Sequence, residues 1–336
     1  MRLVLATLLA LGGWIVPWQH EAGLASLAGS RGALSDVFLF AARLDDSGRP
    51  VLDERGSDWK ATVARVHAEG ARAWLTVVND RVPGSGAPVL KDADIVHRVL
   101  SEPALGARHR AEILDLATSL GVDGVDIDYE NLSEADRAGF TAFVRGLVAD
   151  LHAAGLASSV TVQPKSTDGG SRGQGAMDWT ALCELADRLQ VMLYNEHNGS
   201  TDPGPIAGLD WMSRVVAYGQ SRCQSGKLVP VLKVSGMDWG PDKAEWRTFA
   251  EVSRVLTARG LKPRREWWNR SPWFVYRDVD GRHTVHYEDA RSLAAKADRL
   301  RARGLASLVL WSLGSEDPET IPRLAAAARP AASQKR

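Results

Sequence analysis

Short apolar or β-branched runs alternate along this chain with longer stretches whose apolar residues recur at helical spacing. Eight of the runs read as strands: residues 13–18, 36–41, 73–78, 124–129, 158–163, 189–194, 228–235 and 307–312. The segment DRAGFTAFVRGLVADLHAAG (136–155) shows what lies between them: an amphipathic helix with Gly155 as its stop signal. Eight strands with helical crossovers predict an α/β fold, a (β/α)8 TIM barrel, over residues 13–325. One interval breaks the rhythm. About seventy residues separate the seventh and eighth runs, more than a single helix needs. Within them, SPWFVYRDVDGRHTVHYEDA alternates on both sides of residues 278–281 and predicts a β-hairpin. Residues 240–290 are therefore expected to form a small α+β insertion, one wall of a cleft at the barrel mouth.

The two ends depart from the pattern. MRLVLATLLALGGWIVPW carries one charge and then an apolar run. Residues 1–12 are expected to be a short secretory signal, a membrane anchor or an extension of the first strand. The run is short for a transmembrane helix. The tail, 326–336, is rich in Ala and polar residues and is expected to be disordered.

Composition narrows the partners. Lys plus Arg (41) equals Asp plus Glu (41), which gives no signal for nucleic acid. Trp is over-represented, with 12 copies against 5 Tyr and 6 Phe. Most of these pack in a core, but flat aromatic faces also suit pyranose rings. Cys183 and Cys223 make no metal signature, and either two buried thiols or a disulfide is open.

The chemistry concentrates in GVDGVDIDYENL (121–132). Side chains of a strand alternate between faces, so Asp126, Asp128 and Glu130 share one face and Val125, Ile127 and Tyr129 the other. In a closed barrel the acids point inward and climb toward the C-terminal mouth, with Glu130 nearest the opening. Like charges buried together cannot all ionise readily, so at least one pKa must rise, as a general acid at neutral pH requires. A divalent metal would draw ligands from several strands, and no matching His/Asp set is evident.

Asp123-Gly-Val-Asp126-Ile-Asp128-Tyr-Glu130 matches DxxDxDxE. On this signature the chain resembles family 18 glycoside hydrolases, the chitinases and endo-β-N-acetylglucosaminidases. The resemblance implies a retaining, substrate-assisted cleavage of β-1,4 bonds next to N-acetylglucosamine, with no cofactor and no metal. Glu130 would be the acid/base, Asp128 would orient the acetamide, and Asp126 would share a proton or hydrogen bond with Asp128. LQVMLYNEHN (189–198) is similar to the family's sixth strand, which makes Tyr194 the hydroxyl donor to the acetamide and places Asn195 where the family usually has Asp. LASLVLWSLGSEDP (305–318) is similar to the eighth, which makes Trp311 the floor beneath the sugar. Gln163, inward with Thr161 on the fifth strand, is assigned to substrate hydrogen bonding, and Lys165 to the mouth or to solvent. The third strand has Thr76-Val-Val-Asn79 in place of the family's SxGG, a structural change. Glu288 and Asp289 are read as structural.

GMDWG, SPWFVY and WSLGSEDP further resemble the bacterial branch of spore-cortex and cell-wall N-acetylglucosaminidases. What this implies is a monomer, secreted or in the cell envelope, that acts on a GlcNAc-containing polysaccharide or glycan and touches a membrane only through its N-terminal segment. Chitin, peptidoglycan, exopolysaccharide and N-glycan stay open, as does endo or exo cleavage. The alternative is a lectin-like carbohydrate-binding member with a weak or inactive site. Such relatives lose the terminal Glu of the signature, and Glu130 is present.

Overall fold

The computed structural model describes residues 10–53, 55, 58–169, 173–223, 226–268 and 270–328. Eight parallel strands form one sheet: Ala10–Ile15, Leu34–Leu44, Arg72–Arg81, Gly124–Asp128, Ala157–Val162, Arg188–Met192, Leu228–Lys233 and Ser307–Trp311. The first strand pairs with both the second and the eighth, with Ala10 opposite Ser307. The sheet is therefore closed: a (β/α)8 barrel. A short antiparallel strand, Pro50–Leu52, is added to the second.

Apolar residues divide into two layers, as strand alternation requires. Outward side chains such as Val37, Leu39, Val125, Ile127 and Leu232 pack with the helices in the main core. Inward ones, among them Trp14, Phe38, Trp74, Val229 and Val231, fill the lumen. Each fully buried large side chain contributes about 1.5–3 kcal/mol. At the base of the lumen Asp36 accepts from Trp74 Nε1 (2.8 Å) and pairs with Arg72 (2.8 Å) and Arg188 (3.0 Å).

After the seventh strand the chain builds a second, five-stranded antiparallel sheet. Its order is Ala244–Arg247, Gly236–Trp239, Gly281–His286, Pro272–Asp278, Arg264–Arg265. The helix Phe249–Ala258 lies within the same stretch. This sheet begins at Gly236, four positions before the expected boundary at 240. Where it returns to the barrel, Asp289 caps the helix Ala290–Arg301 by accepting from Ser292 N (2.8 Å).

Two open alternatives close and one boundary moves. Residues 10–12 extend the first strand, one of the three alternatives for this segment, because Leu11 and Gly12 pair on both sides; residues 1–9 lie outside the described residues. Residues 326–328 continue the helix Thr320–Ala328, held by the buried Ile321 and Leu324; residues 329–336 lie outside the described residues. Cys183 and Cys223 are joined in a disulfide, with Cα atoms 5.6 Å apart and 40 positions between them in sequence.

Candidate active site

The acidic strand is braced from below and from the side. Asp123, first acid of the signature, is part-exposed at the strand's entry, where it accepts from Ala73 N (2.8 Å) and meets His67 Nε2 (2.8 Å). It is a structural brace. On the outer face Tyr129 donates its hydroxyl to His109 Nε2 (2.6 Å), whose Nδ1 donates to the Gly48 carbonyl (2.6 Å). Burial holds that imidazole neutral, with a pKa lowered to about 4.

On the inner face Asp126 is fully buried and surrounded by neutral donors. Its Oδ1 accepts from Thr161 Oγ1 (3.0 Å) and Gln190 Nε2 (3.0 Å), and its Oδ2 from Thr161 (3.1 Å) and Thr76 Oγ1 (3.3 Å). The Thr76 hydroxyl is itself oriented by accepting from Trp14 Nε1 (3.0 Å). Thr76 thus has a task at this departure from SxGG. Burial raises the Asp126 pKa despite these donors. These four hydrogen bonds satisfy Asp126 without Asp128.

Asp128, two residues on, is 6% exposed, and its Oδ1 is buried with no hydrogen-bond partner among the described residues. Burial first, then the charges of Glu130 and Asp126, raise its pKa well above the ordinary carboxylate range. The elevated pKa values that the sequence requires therefore fall on Asp126 and Asp128.

Glu130 stands just beyond the end of the strand. Asn79, on the neighbouring third strand, holds it there: its Nδ2 donates to the Glu130 carbonyl (2.9 Å) and its Oδ1 accepts from Glu130 N (2.9 Å). The side-chain amide prolongs the parallel ladder by one rung. The carboxylate meets Lys91 Nζ at 2.5 Å. Burial opposes the Lys91 charge, but Glu130 beside it outweighs burial and raises the lysine pKa.

Asp128 and Glu130 line a cavity of about 750 Å³ at the barrel mouth together with Tyr194, Asn195 and Trp311. Tyr194 is buried, and burial together with the Asp128, Glu130 and Asp126 carboxyls keeps its hydroxyl protonated, hence a donor. Asn195 follows at φ 67°, a left-handed conformation that Asn tolerates better than most residues. Trp311 sets its ring edge-on to Phe40 (5.2 Å) and Trp14 (5.6 Å) and closes the floor.

Two expected residues do not join this group. The fifth strand ends at Val162, and Gln163 begins the loop that follows. Gln163 lies outside the cavity lining, with its Oε1 against the backbone of Gly173. Lys165 is neither at the mouth nor in solvent. It is buried, with Nζ donating to the carbonyls of Met177 (2.6 Å) and Gln174 (3.2 Å). Sequence reasoning missed Asn79, Lys91, Lys233 and Trp246. The rule that selects Tyr194, position at the mouth end of a barrel strand, also selects Lys233.

Residues 96–317 match the family model of the glycosyl hydrolases of family 18. That span is most of the chain and contains the acid ladder, Tyr194 and Trp311. The chain belongs to this family. Among curated relatives, Bacillus subtilis (strain 168) "Putative sporulation-specific glycosylase YdhD" is 29% identical over 228 residues, 66% of this chain and 54% of that protein. The Bacillus anthracis cortical fragment-lytic enzyme is 23% identical over 77% of this chain and 61% of its own length. The chain thus spans a little over half the length of these relatives. Among solved structures, the chitinase from Chromobacterium violaceum ATCC 12472 superposes with a TM-score of 0.86 at 27% identity, covering 96% of this chain and 99% of that one. The Bacillus cereus spore cortex-lytic enzyme SleL shares the fold, with a TM-score of 0.85 at 19% identity over 96% of this chain and 74% of its own. The family is one of glycosidases, and the barrel-mouth cavity is where its chemistry is to be sought.

Proposed function

We propose that this family 18 chain hydrolyses β-1,4 glycosidic bonds next to N-acetylglucosamine with retention of configuration, the substrate supplying the nucleophile. One observation carries the reading: a buried, unpartnered Asp128 oxygen shares a cavity with a mouth carboxyl and a protonated phenol. Glu130 donates a proton to the glycosidic oxygen as the bond to the anomeric carbon breaks. The substrate's acetamide carbonyl oxygen forms the new bond to that carbon and gives an oxazolinium ion. Tyr194 donates a hydrogen bond to this carbonyl and Asp128 accepts the acetamide N–H. Trp311 supports the sugar ring by stacking, and Asn195 offers its amide to the sugar. Water then attacks the anomeric carbon, passing a proton to the Glu130 carboxylate, as the bond from that carbon to the acetamide oxygen breaks and the N-acetyl group is restored.

The ladder suits this charge development. Burial and neighbouring acids disfavour ionised Asp128 in the free protein. A cation forming beside it favours that ionised form, so the interaction strengthens as the oxazolinium ion develops. Asp126, held by four bonds from three neutral side chains, lies two residues before Asp128 on the same face, and its charge adds to the field that disfavours ionised Asp128. The disulfide suits an oxidising compartment and supports placing the protein outside the cell or in its envelope, where GlcNAc-containing glycans occur.

The test is proton NMR of the first product formed from chitotetraose, paired with inhibition by a thiazoline mimic of the oxazolinium ion. The β-anomer should appear first, and the mimic should inhibit. An initial α-anomer, or indifference to the mimic, would refute the reading.

A further inference from the structure

Lys233 is the last residue of the seventh barrel strand and lines the same cavity as Glu130 and Tyr194. It is 8% exposed. Its ammonium lies 3.1 Å from the ring centroid of Trp246 and 5.6 Å from that of Tyr194. Among the described residues it makes no ion pair. Every other cation of the cavity has a carboxylate. Arg43 and Arg55 share Asp53 (3.2 and 2.5 Å), Lys91 has Glu130 (2.5 Å), and Arg247 has Glu245 (2.7 Å) and Asp238 (3.4 Å).

A buried ammonium without an anion is costly, and two aromatic faces offset only part of that cost. Burial, then repulsion from Lys91, lowers the Lys233 pKa to about 7. A methionine would cover Trp246 without this penalty. A neutral sugar chain brings only hydroxyls and acetamides to such a group, whereas a carboxylate would complete the pair and restore the full charge.

We infer that Lys233 is the recognition point for an acidic substituent, a carboxylate, on the sugar chain that occupies the cleft. This rests on the reading that the cleft takes a GlcNAc-containing glycan, and it names the class: a chain whose sugars alternate with, or are modified to, carboxylate-bearing residues. Lys233 is then a specificity residue. Trp246 packs against its ammonium and holds it facing the cavity.

The test uses three tetrasaccharides: neutral chitotetraose, an N-acetylglucosamine chain whose alternate residues carry a lactyl-ether carboxylate, and that chain with each carboxyl converted to a methylamide. Dissociation constants are measured by calorimetry between pH 6 and pH 9 on Glu130→Gln combined with Lys91→Met, so that turnover is not needed and Lys91 is not left as a second unpaired cation beside Lys233. Near pH 6 the acidic chain should bind about tenfold more tightly than its amide. Free Lys233 is charged below about pH 7 and neutral above it, so the ratio should fall toward one by pH 9. Asp80 and Asp128 on one side, Tyr194 on another, Arg43 and Arg55 beside Asp53, and Arg247 and Glu251 toward the insertion also face this cavity. They act alike on the acid and its amide at each pH wherever they do not touch the substituent, and the ratio isolates the group that does. Lys233→Arg in the same background should hold the preference up to pH 9, and Lys233→Met should remove it at every pH. Equal binding of acid and amide at pH 6, or a preference that survives Lys233→Met, would overturn the inference while chitotetraose binding left the glycan reading standing. Failure of all three chains to bind would overturn both.

Discussion

Glu288, where the insertion rejoins the barrel, is 1% exposed, and so is Lys296 nearly two turns into the following helix. The Glu288 carboxylate accepts from the Lys296 ammonium and Ser271 Oγ (2.8 Å) on one oxygen and from Ser292 Oγ (2.7 Å) on the other. Charge meets charge, and both oxygens are bonded. The barrel interior handles its acids differently. Among the described residues Asp126 receives only neutral donors, one Asp128 oxygen receives none, and the cation at hand, Lys91, is paired with Glu130 at the rim. Both clusters are buried and acidic. One is internally complete, while the other is energetically unfinished and open to a cavity. Incomplete electrostatic compensation, more than burial, marks the group available for chemistry.

The comparison can be broken most severely at the rim. Glu130→Gln should lower turnover of a GlcNAc oligomer by about a thousandfold or more while leaving binding in place, measured by steady-state kinetics and calorimetry. Near-normal turnover would remove Glu130 from the acid role. The completed cluster should respond in stability instead. Lys296→Met leaves a buried carboxylate unanswered and should cost about 3–5 kcal/mol in denaturant unfolding, with kcat unaffected in the folded fraction. Adding Glu288→Gln should recover much of that loss. If the single variant unfolds like the wild type, the pair is not a structural unit. Asp128→Asn should cost on the order of a hundredfold in turnover, because the acetamide loses its orienting charge.

The same Asp128→Asn variant also supplies the smallest effect and the sharpest contrast. The Asp128 pKa is raised in the folded protein. Below about pH 4 both folded and unfolded chains hold the proton, and the carboxyl is neutral for stability. As pH rises the unfolded chain ionises first, and the native state loses stability until its own raised pKa is passed. Asn cannot ionise. The variant should therefore melt higher than wild type at pH 7, by on the order of 1 kcal/mol, with the gap closing below about pH 4. A gap that widens in acid would reverse the assignment.

The sequence revealed the closed barrel and the acid ladder because both obey simple periodicities. Alternation along 124–130 places Asp126 and Asp128 inward, and a strand's mouth end carries Tyr194 and Trp311 to the cavity. The failures have local causes. Gln163 keeps the right parity, but its side chain lies against the backbone of Gly173 in the loop beyond the strand and not in the cavity. Lys165 looks like a surface cation, yet carbonyls of the following loop and the rings of Trp179 (5.7 Å) and Tyr218 (5.8 Å) enclose it. Lys91 arrives from a loop at φ 53°, which no pattern of apolar positions encodes. Trp246 comes from the insertion, whose docking onto the mouth depends on tertiary contact.

The pairing of Ala10 with Ser307 has a consequence for how this molecule is made. A ribosome releases the first strand about 300 residues before its final neighbour, a delay on the order of tens of seconds at ordinary elongation rates. Throughout that interval the strand bearing Trp14 has the second strand on one side and an open edge on the other. The nascent chain must be shielded or kept loose until Ser307–Trp311 emerges, and crowding by other copies of itself is the hazard to which that edge is open.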